Sequence, residues 1–168
     1  VKDVYIGSCK GELRERAFEE CGSLKSVEFG KGPSAIGSRI FSNSTGVESF
    51  IAGEGTQSIA EYAFSNKSTS YYYETKYNTN LKKVVLPSSV KSIGSYAFYN
   101  CTALSDFTMP DSLTAIGQYA FYNCHAITGR LVVPDGVTKL ENNVFRAMRG
   151  ITTLEIGANV DEINAIRN

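Results

Sequence analysis

The chain has 168 residues, with 17 basic and 17 acidic side chains that give a formal net charge of zero. The length allows one domain, and the charge balance argues against a partner such as nucleic acid or an anionic membrane, which needs a basic surface. A single His argues against most His-dependent catalysis, and no apolar stretch approaches the roughly 18 residues of a membrane span.

A small or apolar residue followed by Phe returns along the chain at a nearly constant period. The steps from one such Phe to the next are 23, 23, 34, 23 and 24 residues. A fixed period of this length indicates a solenoid in which each repeat forms one coil. We expect one buried stack of rings, with a row of Ile93, Ile116 and Leu140 beside it, and the rings are Phe18, Phe41, Phe64, Phe98, Phe121 and Phe145.

Each repeat opens with the pattern apolar-x-x-apolar-x-apolar, as in Leu24, Val27 and Phe29. The pattern predicts a short strand with one buried face. Gly or Pro follows it in most repeats and ends the strand, so the chain must turn there. The sixth repeat carries one extra residue near residues 128–130, which predicts a bulge in its strand.

Two polar or reactive residue types recur at fixed places after the Phe. Cys21, Cys101 and Cys124 stand three residues after it, and we interpret this position as a small buried hydrophobe with a free thiol. Asn stands two residues after it, where we expect the side-chain amides to bond to backbone groups of neighbouring coils. These amides belong to Asn43, Asn66, Asn100 and Asn123.

The pattern Leu-x-x-Val-x-Leu-Pro-x-Ser-Val-x-x-Ile-Gly-x-x-Ala-Phe-x-x-Cys, best seen in residues 81–101, resembles the BspA-like (Treponema-type) leucine-rich repeats. The resemblance covers nearly the whole chain. It implies a right-handed, mainly β leucine-rich-repeat solenoid, with a parallel sheet on its concave face and short strands or 3₁₀ turns on the other side. We expect residues 1–168 to form a single domain of six to seven coils. Neither end resembles a polar cap, so we expect a piece of a larger protein.

An insertion at residues 65–80 interrupts the repeat with Tyr, Ser, Thr, Lys and Asn. This is the composition of a recognition loop, because Tyr offers a large contact area and a hydroxyl at low entropic cost. The alternative is that its tyrosines cover the third coil, where Ala52 and Lys67 replace residues that are larger or more apolar in other repeats. These tyrosines are Tyr71, Tyr72, Tyr73 and Tyr77.

Catalysis finds little support in the sequence. His125 directly follows Cys124, and adjacent side chains in a turning segment point apart, which argues against a Cys-His pair. Glu28, Glu48 and Asp106 could share one face, but no insertion beside them would form a pocket. We expect no enzymatic activity, no cofactor and no metal site.

The outward positions of the strands mix both charge signs, which suits a protein-facing or solvated surface. The predicted function is non-enzymatic binding of a protein or glycan, and the alternative is a structural spacer that presents another domain. Location at the bacterial surface or outside the cell, and adhesion to host or matrix components, are implied by the resemblance. The candidate ligand-binding residues are the four insertion tyrosines with Tyr5, Lys25, Glu28, Lys82, Lys83 and Asp106.

Overall fold

The computed structural model describes residues 1–65 and 80–164. In these ranges the chain is a solenoid of about six coils built from short parallel strands, without a helix. The first strands of successive coils are β1 (Asp3–Ser8), β2 (Ser26–Lys31), β4 (Ser49–Ile51), β6 (Lys83–Val85), β8 (Asp106–Phe107), β10 (Gly129–Val133) and β12 (Ile151–Ile156). The second strands of the coils are β3 (Ala35–Ile36), β5 (Ser58–Ile59), β7 (Ser92–Ile93), β9 (Ala115–Ile116), β11 (Lys139–Leu140) and β13 (Glu162–Ile163).

Five of the first strands form what we call the main sheet, in the order β1-β2-β4-β6-β8. Its register follows the repeat, so that Val27 lies opposite Phe50 and Phe50 opposite Val84. The inward residues are buried and the outward ones exposed, because successive side chains of a strand point to opposite faces. Strands β3, β5, β7 and β9 form a second sheet, in which Ile59 pairs with Ile93 and Ile93 with Ile116.

The predicted stack of Phe rings forms the centre of the core. Neighbouring rings lie 4.9 to 6.2 Å apart between centroids, and all but Phe18 are buried, as predicted. Phe18, in the first coil, is half-buried. Phe50 of β4 meets the rings of Phe41 and Phe64 edge-on, so the large ring at this position compensates for the small, fully buried Ala52. The described part of the third coil is therefore well packed.

The long insertion in the repeat leaves strand pairing across it intact, whereas the short insertion interrupts the pairing. Across the long one, β4 still pairs with β6, β5 with β7, and the rings of Phe64 and Phe98 stack at 4.9 Å. At the short one, Gly129 adopts a φ of 78° and the register shifts between Gly129 and Arg130, which confirms the predicted bulge. Among the described strands, neither sheet continues from the fifth coil to the sixth: β10 pairs with β12 alone and β11 with β13 alone. The predicted row is thus paired from Ile93 to Ile116, and Leu140 belongs to the separate pair.

Backbone conformation explains the recurring Asn better than our sequence interpretation does. Every described residue two positions after a stack Phe has a φ between 55° and 63°, the left-handed region that Asn tolerates best after Gly. One side-chain bond in this row joins two amides, with Asn123 Nδ2 donating to Asn100 Oδ1 at 3.1 Å. Bonding of these amides to the backbone of neighbouring coils was therefore the wrong explanation for Asn100 and Asn123. Asn66 lies outside the described residues.

Candidate functional site

The outward face of the main sheet brings together side chains from every coil between β1 and β8. Because the strands are in register, outward residues form straight rows across the sheet. One row runs from Tyr5 through Glu28 and Ile51 to Val85. A neighbouring row joins Asp3, Ser26, Ser49, Lys83 and Asp106.

Glu48 is the centre of a charged cluster at the start of these strands. Its two carboxylate oxygens accept from Lys25 Nζ and Lys82 Nζ, each at 2.9 Å. Hydrogen bonds from Lys82 and then Lys25, with the attraction of both positive charges, lower the pKa of Glu48 to about 2. All three side chains remain substantially exposed, so the cluster is solvated and its attraction is screened by salt.

Other charges of the face are also paired between coils. Lys83 Nζ lies 3.1 Å from Asp106 Oδ2, and Ser26 Oγ donates to Asp3 Oδ1 at 2.6 Å. Beyond the break in the sheet, the guanidinium of Arg130 forms a two-pronged contact with the carboxylate of Glu155. Positive and negative side chains therefore neutralise one another along the face, which leaves no stripe of a single sign.

Apolar side chains lie exposed beside the paired charges. The side chains of Tyr5, Val85 and Val132 are 69%, 39% and 41% exposed. Val85 and Val132 were absent from the set of ligand-binding residues chosen from the sequence, although strand alternation placed both outward. Exposed apolar groups beside paired charges are a combination that is typical of contact surfaces.

The residues chosen from the sequence divide into two groups. Tyr5, Lys25, Glu28, Lys82, Lys83 and Asp106 all lie on or at the start of the main-sheet strands. Four of these six form the ion pairs described above, whereas Glu28 is exposed and lies opposite Tyr5 in the register. The tyrosines at 71, 72, 73 and 77 lie outside the described residues.

Reactive groups are absent from this face within the described ranges. Cys101 and Cys124 are fully buried free thiols, as predicted, and burial raises the pKa of both. Cys21, at the same repeat position, is only half-buried, so the prediction of burial was wrong there. His125 is exposed, with Nδ1 3.2 Å from Asn123 Oδ1, whereas the sulfur of Cys124 points into the core. No group of three or more His, Cys, Asp or Glu in the described ranges could hold a metal ion.

A second surface feature is a double column of tyrosines that occupy repeat positions. Tyr62, Tyr96 and Tyr119 stack at 4.9 and 5.0 Å, and Tyr99 stacks on Tyr122 at 4.8 Å. The rings are half-buried, on the turns that follow the strands of the second sheet. We call these five residues the tyrosine ladder; the period showed that each recurs, but the ring contacts required the structure.

Among the described residues, no helix is long and apolar enough to cross a membrane.

Comparison with known proteins adds the following. The family model described as "BspA type Leucine rich repeat region" matches residues 11–75 and 69–166, with six copies of the repeat. No curated protein matches the chain. Among solved structures, the leucine-rich repeat protein of Treponema pallidum is 26% identical, with a TM-score of 0.77, and the alignment covers 91% of this chain and 68% of that one.

Two further structures share the fold. A leucine-rich repeat protein from Eubacterium ventriosum is 22% identical, with a TM-score of 0.58, over 73% of this chain and 30% of its own. A leucine-rich cell surface protein from Faecalibacterium prausnitzii is 19% identical, with a TM-score of 0.53, over 97% of this chain and 60% of its own. The chain thus spans less than two thirds of both of these proteins.

Proposed function

The chain belongs to the BspA-type leucine-rich repeat family, and we propose that it binds a protein or glycan ligand without catalysing a reaction. In this proposal the ligand lies against the main sheet, and the protein acts at the bacterial surface or outside the cell in adhesion to host or matrix components. The description of the similar Faecalibacterium prausnitzii protein as a cell surface protein supports the proposed location.

The observation that carries the proposal is the composition of the main-sheet face. Tyr5 and Val85 lie exposed in one register row, beside charges that are paired between coils. A ligand can cover Val85 without breaking these pairs, because Lys82 and Lys83 bond to carboxylates within the same sheet. Burying an unpaired charge would oppose binding, and the pairing reduces that penalty.

The state of the titratable groups supports a non-enzymatic role. A general acid needs a carboxyl whose pKa is raised, but the pKa of Glu48 is lowered to about 2. A nucleophilic Cys needs an accessible thiolate, whereas the pKa of Cys101 is raised and its side chain is buried. The chemistry of these groups therefore suits a scaffold.

One observation favours the second candidate function, a structural spacer that presents another domain. Glu48, Lys25 and Lys82 satisfy one another across three coils, so they can stiffen the stack without any ligand. Exposed pairs of this kind contribute little to stability individually, and a network of them contributes more. A spacer requires this stiffness and needs no complementary partner.

Arrays of glycans and of matrix proteins, probed with residues 1–168, separate the two functions. The binding proposal predicts capture of at least one protein or glycan, with loss of capture when Val85 is changed to Asp. Arg14→Gln, in the first coil and away from this row, is the control that should retain capture. Silence of the unmodified protein on both arrays favours the spacer and counts against binding.

A further inference from the structure

A cleft of about 530 Å³ lies at the sixth corner of the solenoid, next to the tyrosine ladder. It is lined by Tyr122, Arg146, Ala147, Met148, Arg149 and Ile151. Met148 is buried and supplies an apolar floor, while Arg146 and Arg149 are exposed at the rim. The volume falls within the range of sites that hold small ligands, about 300 to 1,000 Å³.

The two arginines of the cleft form no ion pair with any described residue. Arg39, at the other end of the tyrosine ladder, differs from them because its guanidinium packs over a tyrosine ring and also forms an ion pair. Its guanidinium lies 5.0 Å from the centre of the Tyr62 ring and 3.4 Å from a carboxylate oxygen of Glu15. That end of the ladder is closed by the protein itself.

Tyr122 provides the aromatic wall of the cleft. One face of its ring stacks on Tyr99, with the centroids 4.8 Å apart and the planes 11° apart. Arg146 occupies the equivalent position one coil later, and the backbone N–H of Asn123 bonds to its carbonyl oxygen at 2.9 Å. The guanidinium nevertheless makes no cation–π contact with Tyr122 among the described residues, in contrast with Arg39 and Tyr62.

We propose that this cleft binds an anionic saccharide unit, in which the sugar ring packs against Tyr122 and Met148 and the carboxylate or sulfate pairs with Arg146 and Arg149. A guanidinium presents a planar fork of donors that matches either anion. An aromatic wall beside it suits the apolar face of a sugar ring. This site lies at a corner of the coil and does not depend on the main-sheet face.

The size and charge of the surroundings favour a saccharide over larger partners. A stable protein interface covers about 800 Å² on each partner, much more than six residues around one cleft provide. Nucleic acid is attracted by a broad basic surface, whereas this chain has no net charge and the lysines at 25, 82 and 83 on the main sheet are paired with carboxylates. A single anionic group on a small ring is the chemistry that two neighbouring arginines and one tyrosine fit.

Nuclear magnetic resonance titration of the unmodified chain tests the site directly. The probes are sialyllactose, which carries a carboxylate, the disaccharide lactose 3′-sulfate, which carries a sulfate and no carboxylate, and neutral lactose. We expect shifts at residues 122 and 146–151 with at least one anionic probe, no shifts with lactose, and weaker binding as salt rises. The probe that binds tells a carboxylated from a sulfated ligand.

The repeat itself supplies substitutions that the fold tolerates. Ser42 and Ser65 occupy the positions equivalent to Tyr122 and Arg146, and Thr45 and Thr102 those equivalent to Arg149. Arg146→Ser and Arg149→Thr should each weaken binding about tenfold, as expected when a charged hydrogen bond is lost. Tyr122→Ser should weaken it less, and Arg14→Gln, with the same change in charge, should leave it unchanged.

Three results would overturn the proposal. The first is the absence of shifts in the cleft with every probe at millimolar concentration. The second is an equal loss of affinity in Arg14→Gln and Arg146→Ser, which would indicate attraction by net charge alone. The third is equal affinity for inorganic sulfate and for the sulfated disaccharide, since the sugar ring would then contribute nothing. The main-sheet variant Val85→Asp should bind these probes normally, because the cleft does not include Val85. Failure of the cleft to bind a saccharide is therefore distinguishable from failure of the main-sheet face to bind its ligand.

Discussion

The thiol of Cys124 donates to the carbonyl oxygen of Phe98 one coil earlier, with 3.0 Å between Sγ and O. Ser44 Oγ makes the same bond to the carbonyl of Phe18 at 2.5 Å, and Cys101 Sγ lies 3.7 Å from the carbonyl of Phe64. The position that we interpreted as a buried hydrophobe is therefore also a donor position. At Phe98 the thiol is a second donor, because the same carbonyl oxygen also accepts from the backbone N–H of Cys101 at 3.0 Å.

The stability of variants at Cys124 should depend more on whether the new side chain can donate a hydrogen bond than on how hydrophobic it is. We expect Cys124→Ser to be tolerated, because Ser44 already fills the equivalent position. Cys124→Ala should lower the free energy of unfolding by about 1 kcal/mol, since the carbonyl of Phe98 loses one of its two donors and a small cavity opens. Urea unfolding of the two variants measures the difference. A variant with Ala that is more stable than the variant with Ser would show that the bond is unimportant.

Ala147 offers a substitution that should stabilise the protein. Its φ of 63° lies in the left-handed region, which is unfavourable for any side chain with a Cβ atom. Ala147→Gly should therefore raise the free energy of unfolding by about 1 kcal/mol. Ala126→Gly is the matched control, because Ala126 has no positive φ and should lose stability from the added freedom of the unfolded chain. Equal losses in both variants would contradict the backbone argument.

The carboxyl group of Glu48, which is paired with Lys25 and Lys82, should titrate at an unusually low pH. The pKa of Glu48 is lowered from 4.5 to about 2, so its contribution to stability is complete above about pH 4.5 and is lost as the pH falls toward 2. The carboxyl carbon shift of Glu48 measures the midpoint. Lys25→Met and Lys82→Met should each raise it, while Lys83→Met, which removes the partner of Asp106, should not. A midpoint near 4.5 in the unmodified protein would show that the ion pairs do not persist in solution.

Replacement of the insertion tests whether its tyrosines bind a ligand or cover the core. Replacing residues 68–78 by a short Gly-Ser link changes loop entropy little, so a recognition loop should be removable with little loss of stability. Although the described part of the third coil is well packed, Lys67 stands where other repeats have Cys, Ser or Met. We therefore expect a melting temperature lower by several degrees, as for the loss of one or two kcal/mol in a domain of this size. A variant of unchanged length, with Ser at 71, 72, 73 and 77, controls for the link. An unchanged melting temperature in both would contradict the covering role.

Features that depend on the period were predictable from the sequence. The stack from Phe41 to Phe145 and the burial of Cys101 and Cys124 follow from spacing alone, because equivalent positions of a solenoid stack on one another. The pairing of Lys25, Glu48 and Lys82 could also have been predicted, since these residues are separated by one period and then by one period with its insertion. We chose Lys25 and Lys82 instead as independent ligand contacts.

Features that depend on backbone geometry were beyond the sequence. The left-handed positions are filled by residues as different as Arg39, Tyr96 and Asn143, so residue type does not reveal them. The one extra residue near Gly129 predicted a bulge but not the loss of pairing in both sheets, which depends on the path of the whole coil. The cleft beside Tyr122 depends on the direction of two arginine side chains, which spacing does not determine.

Affinities for the ligand that the arrays identify show whether the main-sheet face binds it. The unmodified chain is measured beside Val85→Asp on the main sheet and Arg14→Gln away from that row. We predict that Val85→Asp weakens binding by about tenfold or more, because a charge is buried at the centre of the contact, and that Arg14→Gln has no effect. Equal affinity of all three proteins for that ligand would contradict the claim that the main-sheet face binds it.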